Sequence, residues 1–156
     1  MMNLKQLLTK PLRVIPKGLL VSFFVLSLIG FADATYLTVE HFINKIPPCS
    51  IGGCETVLTS EYASVLGIPV SLLGSIFYLF ILIMFLVFWD TKKEVFLRIS
   101  FFVSIVGVII AIVLVGLMFF VIHSICIYCM VSDTITVLLA ILSSVILYKN
   151  KNEITN

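Results

Sequence analysis

Four long apolar stretches dominate this sequence, and they indicate that the chain crosses a membrane. They cover approximately residues 19–41, 68–89, 95–121 and 126–148. Each reaches the ~20 residues that a helix needs to span the hydrocarbon core. Over such a length in lipid, only a helix satisfies its own backbone polar groups. The sequence therefore predicts an all-α membrane protein, a bundle of four transmembrane helices that forms one domain over residues 1–156.

The basic residues indicate how the bundle is oriented. Of the ten Lys and Arg residues, eight precede the first stretch, lie between the second and third, or follow the fourth, and Arg98 lies at the start of the third, at the same end. Only Lys45 lies in the long loop at 42–67. The positive-inside rule then places both termini in the cytoplasm and this loop outside, together with the turn before residue 126. In a bacterium this describes a multi-pass protein of the inner cell membrane, and the outer side is oxidising enough for disulfides to persist.

The long outer loop carries the first of two cysteine pairs, Cys49 and Cys54. Two prolines stiffen the chain before Cys49, and two glycines before Cys54 let it turn back, so the pair can close a ring of six residues. After Cys54, apolar residues recur at helical spacing as far as Leu66, which predicts a short amphipathic helix on the membrane surface. An ordinary loop stapled by a disulfide is the alternative interpretation of this pair.

The second pair, Cys126 and Cys129, opens the fourth predicted helix. Residues three apart lie on one face of a helix, so both sulfurs point the same way. The N-terminal backbone N–H groups and the helix dipole stabilise a thiolate, which makes Cys126 the better nucleophile. Cys129 lies ~4.5 Å deeper, towards the acyl chains. This geometry suits transfer of electrons from a thiol outside to an acceptor dissolved in the lipid.

Four further polar residues are candidates for a quinone site or a proton relay. Asp133 lies one turn below Cys129, and a carboxyl group inside a membrane helix indicates either function or a polar partner. A relay role and a structural hydrogen bond, to a hydroxyl such as that of Ser132 or to the backbone, both remain open. Asp33 and Tyr36 share one face of the first helix, where a structural polar seam is the alternative. His123 precedes Cys126 and has a suitable titration range, although a solvated turn histidine explains it equally simply.

Taken in order, these motifs resemble those of the vitamin K epoxide reductase family, especially its bacterial members. The matching segments, all within about residues 18–148, are Asp33-x-x-Tyr36-Leu37-Thr38, Cys49…Gly53-Cys54-Glu55-x-Val57-x-x-Ser60, Gly67-Ile68-Pro69-Val70-Ser71 and Cys126-x-x-Cys129. The resemblance implies a four-helix bundle that encloses a quinone of the menaquinone or ubiquinone type and is capped by the loop helix.

The resemblance also implies a role for each cysteine. Electrons would pass from a thioredoxin-like thiol oxidase to Cys49 and Cys54, then to Cys126 and Cys129, then to the quinone. Cys54 would attack the second disulfide at Cys126, and Cys129 would act on the quinone. Ser60 matches a hydroxyl position near the family's active site.

Two departures from the family pattern affect these expectations. Some members carry a fused thioredoxin-like domain; this chain shows none, so we expect its extracytoplasmic partner to be a separate protein. Members that use vitamin K have a tyrosine at the position of Asp133, so epoxide chemistry is not implied here.

The sequence thus predicts an enzyme, a membrane thiol–quinone oxidoreductase that supports disulfide formation in exported proteins. A net charge of +2 gives no reason to expect nucleic acid as a partner. Besides the quinone and the thiol partner, we expect the protein to contact membrane lipid. Two other classes compete with this prediction. Four cysteines can hold zinc or an iron–sulfur cluster, although an oxidising compartment disfavours four free thiols, and we predict no metal. The cysteines could instead form two inert bridges in a structural membrane protein.

Overall fold

The computed structural model describes residues 16–43, 45, 47–48 and 53–155, without the side chains of residues 150–155. The elements follow in the order α1 (Lys17–Phe42), α2 (Cys54–Leu58), a 3-10 turn (Glu61–Ala63), β1 (Ser64–Val65), β2 (Ile68–Pro69), α3 (Val70–Thr91), α4 (Glu94–Leu117), a π-helical turn (Met118–Ile122) and α5 (Ile127–Thr155).

Four of these helices are long and apolar enough to cross a membrane. The candidate spans are Lys17–Phe42, Val70–Thr91, Glu94–Ile122 and Ile127–Lys149, with mean hydropathies of 1.9, 2.7, 3.3 and 2.1. Helix α1 packs against α3 and α5, and α4 packs against α3 and α5, so the four form a bundle. The predicted all-α fold is confirmed, and the chain is a multi-pass membrane protein.

Aromatic and aliphatic side chains fill the centre of the bundle. Phe23 of α1 stacks on Phe85 of α3 with ring centroids 5.5 Å apart. Leu97 of α4 and Leu139 of α5 complete the same buried cluster. Most other large apolar side chains are exposed along the helices, for example Phe102 and Ile112 at 67% and 66%. A surface of this kind is stable in lipid, where apolar side chains need no cover.

The connection between α1 and α3 differs from the predicted continuous helix. A short helix is present as expected, but α2 ends at Leu58 rather than near Leu66. Two short antiparallel strands follow, with Val65 opposite Ile68. Leu66 and Gly67 form the turn with φ angles of 54° and 79°, the pattern of a two-residue type I′ hairpin.

The hairpin also moves the start of the second membrane helix. Residues 68 and 69 pair as β2, so α3 begins at Val70, two residues later than the apolar stretch indicated, and Pro69 immediately precedes it. Proline suits this position because its fixed φ angle leads into a helix and its missing N–H would be unpaired in the first turn.

Candidate functional site

The long loop and the turn before α5 meet at one end of the bundle. The backbone of Gly53 lies directly against that of Ile125: a Cβ atom added to Gly53 would lie 2.9 Å from Ile125 N and 3.1 Å from Ile125 C. Real Cβ atoms essentially never approach backbone so closely. The approach of the loop therefore requires glycine at this position.

This contact brings a cysteine of each pair into one buried cluster. Cys54 and Cys126 are both fully buried, and they pack together with Val57 of α2 and Met118 of the π-helical turn. Cys54 is disulfide-bonded, whereas Cys126 and Cys129 are free thiols. Cys49, the other predicted member of the loop pair, lies outside the described residues.

A tight reversal of the chain delivers Cys126 to the start of α5. The π-helical turn ends at His123, whose φ angle of 53° is left-handed, and the N–H of Ser124 donates to Met118 O at 3.2 Å. Helix α5 begins at Ile127, so Cys126 immediately precedes it rather than forming its first residue. Its carbonyl accepts from the N–H of Met130 at 3.0 Å, as a residue at a helix start does.

The helix start stabilises a thiolate on Cys126. The N–H of Cys129 donates to Cys126 Sγ at 3.3 Å. The hydrogen bond from the Cys129 thiol lowers the pKa of the Cys126 thiol below its usual value; burial opposes this, and the backbone N–H groups of Cys129 and Tyr128 add to it. Of the two free thiols, Cys126 is thus prepared as the nucleophile, as a cysteine at a helix N-terminus is expected to be.

Two carboxyl groups approach Cys129 from different helices. Asp133 follows it by four residues on α5, and Asp33 comes from α1; both interact electrostatically with the Cys129 thiol. The Oδ2 atoms of Asp33 and Asp133 are buried, and neither has a hydrogen-bond partner among the described residues. The Asp33 side chain interacts with that of Ser132 on α5. The face of α1 that the sequence marked as polar therefore borders the thiols.

Tyr78 is a residue of this region that sequence reasoning missed. Its hydroxyl donates to Ser132 O at 2.6 Å and lies 2.8 Å from Thr136 Oγ1, and the Ser132 hydroxyl donates to it at 3.4 Å. The ring packs against α1, where a Cβ added to Gly30 would lie 2.6 Å from Tyr78 Cζ. A phenolic hydroxyl in the middle of an apolar stretch needs a partner, and that requirement was the only signal in the sequence.

The remaining predicted site residues, Tyr36, Ser60 and His123, belong to three different segments of the chain. The ring of Tyr36 lies 5.7 Å from that of Tyr128, within the Cys-x-x-Cys segment. The Tyr128 hydroxyl donates to Pro48 O at 3.3 Å. The Ser60 hydroxyl donates to Val57 O at 2.7 Å, so it bonds to the loop's own backbone. His123 is exposed at the reversal. Tyr36 thus contacts the Cys-x-x-Cys segment through Tyr128, the Ser60 hydroxyl bonds within the loop, and His123 lies at the exposed reversal.

An apolar groove of about 340 Å³ lies on the outer surface of α5, near the start of the helix. It is lined by Ile125, Ile127, Met130, Val131, Thr134 and Ile135. Met130 also packs against the buried cysteine cluster. The groove is wide open and almost wholly apolar, so it can accept a hydrocarbon chain from the surrounding lipid.

Comparison with known proteins agrees with the geometry. Residues 21–144 match the model of the vitamin K epoxide reductase family. The match begins within the first membrane span, ends within the fourth and includes both cysteine pairs. A comparison with individual curated proteins gives no match.

Proposed function

This chain belongs to the vitamin K epoxide reductase family, and we propose that it carries electrons from a soluble thioredoxin-like partner through all four cysteines to a quinone. Members of the family are quinone-reducing thiol oxidoreductases. In this proposal the loop pair Cys49/Cys54 receives the electrons, and Cys126/Cys129 passes them on. The net result is to regenerate the disulfide of a protein that oxidises exported proteins.

The observation that carries the proposal is the shared burial of Cys54 and Cys126. Thiol–disulfide exchange requires a thiolate to reach a sulfur of the other pair directly. The partner's dithiol would reduce the loop pair, and the Cys54 thiolate would attack Cys126 Sγ and release Cys129. Cys49 would then attack Cys54 and free Cys126. Two electrons and two protons would thereby move from the loop pair to Cys126 and Cys129.

The redox state of the described cysteines corresponds to one stage of this cycle. Cys54 is oxidised while Cys126 and Cys129 are free thiols. In the proposed order, this is the stage after transfer between the pairs and before the quinone is reduced. The hydrogen bonds that lower the pKa of the Cys126 thiol favour it as the sulfur that exchanges with the loop.

The membrane orientation is part of the proposal. The loop and the reversal before α5 meet at one end of the bundle, and among the basic residues that the structure describes only Lys45 belongs to that end. By the positive-inside rule, that end faces outward and both termini are cytoplasmic. The cysteines would then lie on the oxidising side of the cell membrane, where a thioredoxin-like partner can reach the loop.

The residues present fit a quinone as the electron acceptor. Cys129 lies near Asp33 and Asp133, whose buried Oδ2 atoms have no hydrogen-bond partner among the described residues. We propose a menaquinone or ubiquinone type. When bound, a quinone takes up two electrons and two protons to become a hydroquinone. The Cys126–Cys129 dithiol can supply two electrons and two protons when it forms a disulfide.

Steady-state turnover of cysteine variants tests this function. The purified protein in detergent would be given a reduced thioredoxin-like donor and a short-chain quinone under anaerobic conditions. We expect hydroquinone to form at a rate that falls at least ~100-fold on replacing any of the four cysteines with alanine, since each carries an exchange step. Turnover that persists in any one of the four variants would contradict the proposed path.

A further inference from the structure

The two carboxyl groups near Cys129 are only partly explained by the packing of the bundle, because the interaction of Asp33 with Ser132 leaves one oxygen of Asp33 unpartnered. A carboxyl group inside a membrane span is costly, and a buried polar atom without a hydrogen bond adds to that cost. Asp33 and Asp133 each have such an atom, Oδ2, with no hydrogen-bond partner in the described part of the chain. A residue kept only for packing or helix pairing would use its oxygens.

Their positions point to the dithiol. Residues four apart on a helix are neighbours on one face, which places Asp133 beside Cys129. Asp33 interacts electrostatically with both Cys126 and Cys129. Asp33 interacts with the side chain of Ser132. Both carboxyl groups also interact electrostatically with the Tyr78 hydroxyl. The hydroxyls of Ser132 and Tyr78 therefore join the two carboxyl groups into one polar cluster.

We propose that Asp33 and Asp133 accept the two thiol protons of Cys126 and Cys129 and return them to the oxygens of the reduced quinone. This inference rests on the proposed function and adds its proton path. Asp133 serves Cys129, its neighbour on α5. Asp33 serves Cys126 from across the helix interface.

The atoms and electrons balance. Two S–H bonds break, one S–S bond forms, and two electrons leave the sulfurs for the quinone. Each carboxylate gains one proton, and each then gives it to one oxygen, so that hydroquinone leaves and both carboxylates are restored. A carboxyl group suits such a relay because it accepts and donates a proton through the same oxygen.

The surroundings offer few other proton carriers. Helix α3 contributes the Tyr78 hydroxyl, which is already bonded to Ser132 and Thr136. Helix α4 has Glu94 and Arg98 as its titratable side chains, and both lie at the opposite end of the bundle. From the loop, Cys54 is disulfide-bonded. Towards the outer end of α1, Tyr36 and Glu40 interact with each other.

Carboxyl-to-amide variants test the proposal by single-turnover kinetics. We expect D133N and D33N each to slow quinone reduction by the pre-reduced protein by about 100-fold, the usual worth of a general acid–base group. Restoring the carboxyl in D133E should recover most of the rate. D90N, which removes an exposed carboxyl at the other end of the bundle, is the matched control and should behave as wild type.

A second readout needs no quinone. Ferricyanide accepts electrons only, so oxidation of the dithiol by ferricyanide should leave its protons on the carboxyl groups in the first turnover. Time-resolved infrared difference spectra should then show a protonated-carboxyl band, reduced in D133N and absent from the D33N/D133N double variant. The proposal is overturned if the band is unchanged in the double variant, or if both single variants reduce quinone within two-fold of wild type. Wild type that reduces no quinone would instead refute the proposed function itself.

Discussion

Replacing Cys129 with serine is expected to trap a covalent bridge between Cys54 and Cys126 and to abolish quinone reduction. The lone Cys126 thiolate would attack the Cys54 sulfur, which shares its buried cluster. With Cys129 absent, no neighbouring thiol on α5 can displace the bridge, and alkylation of the Cys49 thiol that the attack releases prevents the loop from reversing it. The serine hydroxyl can donate to Cys126 Sγ in place of the Cys129 thiol, and the backbone N–H groups at the helix start remain, so the reactivity of Cys126 should persist.

Peptide mass spectrometry after rapid alkylation would detect this bridge. We expect the Cys54–Cys126 species to dominate in C129S and to be absent from the C54S/C129S double variant, which is the matched control. A C129S protein that holds only its loop disulfide and a free Cys126, and that still turns over quinone, would exclude transfer between these two sulfurs.

Replacing Gly53 with alanine is expected to slow electron transfer between the two cysteine pairs by about 10- to 100-fold. The added methyl group would overlap the backbone of Ile125, which cannot move aside without shifting the start of α5. Overpacking of this kind costs ~1–3 kcal/mol, and ~1.4 kcal/mol corresponds to a factor of ten in rate. The loop, and Cys54 with it, should therefore lie farther from Cys126.

Quenched-flow alkylation would measure the rate at which thiols equilibrate between the pairs. Gly116→Ala provides the control, because a methyl group added at that helical glycine meets nothing within 4 Å. Both variants should keep wild-type quinone reduction from a pre-reduced Cys126–Cys129 dithiol. Equal transfer rates in G53A and G116A would mean that the close approach at Gly53 does not position the loop for exchange.

The arrangement of the helices could be predicted because it depends on properties that act along the chain. Hydropathy over ~20 residues decides which segments cross the membrane. The step from Ile122 to Ile127 is so short that the cysteine pair of α5 must lie at the end of the bundle where the long loop enters. The helical spacing of Cys126 and Cys129 fixes their common face, and the hydrogen bond from the Cys129 thiol, with the backbone N–H groups at the helix start, lowers the pKa of the Cys126 thiol.

Features that depend on tertiary contacts could not be predicted. The apolar spacing from Val57 to Leu66 suits a helix, but the positive φ angles at Leu66 and Gly67 turn this segment into a hairpin. The polar face of α1 indicates that Asp33 faces the bundle interior, but the interactions of Asp33 with Ser132 and Cys129 depend on how α1 packs against α5, which no pattern within α1 contains. The position of Tyr78 depends in the same way on a close approach to Gly30 in another helix.

The two competing functions differ from the relay in the state of the thiols. A metal site would hold its ligating cysteines as thiolates in every state of the protein. A purely structural protein would keep both pairs bridged. A relay requires the two pairs to exchange redox states, and a measurement that counts electrons distinguishes it from both alternatives.

The number of quinone molecules reduced by one fully reduced chain is the most direct test of the relay. Each dithiol holds two electrons, so anaerobic, fully reduced wild type should form two hydroquinones per chain without any donor. C54S should form one, because Cys126 and Cys129 still react but receive nothing from the loop, and C126S should form none. One hydroquinone per chain in both wild type and C54S would contradict transfer from the loop pair, and none in wild type would contradict quinone reduction altogether.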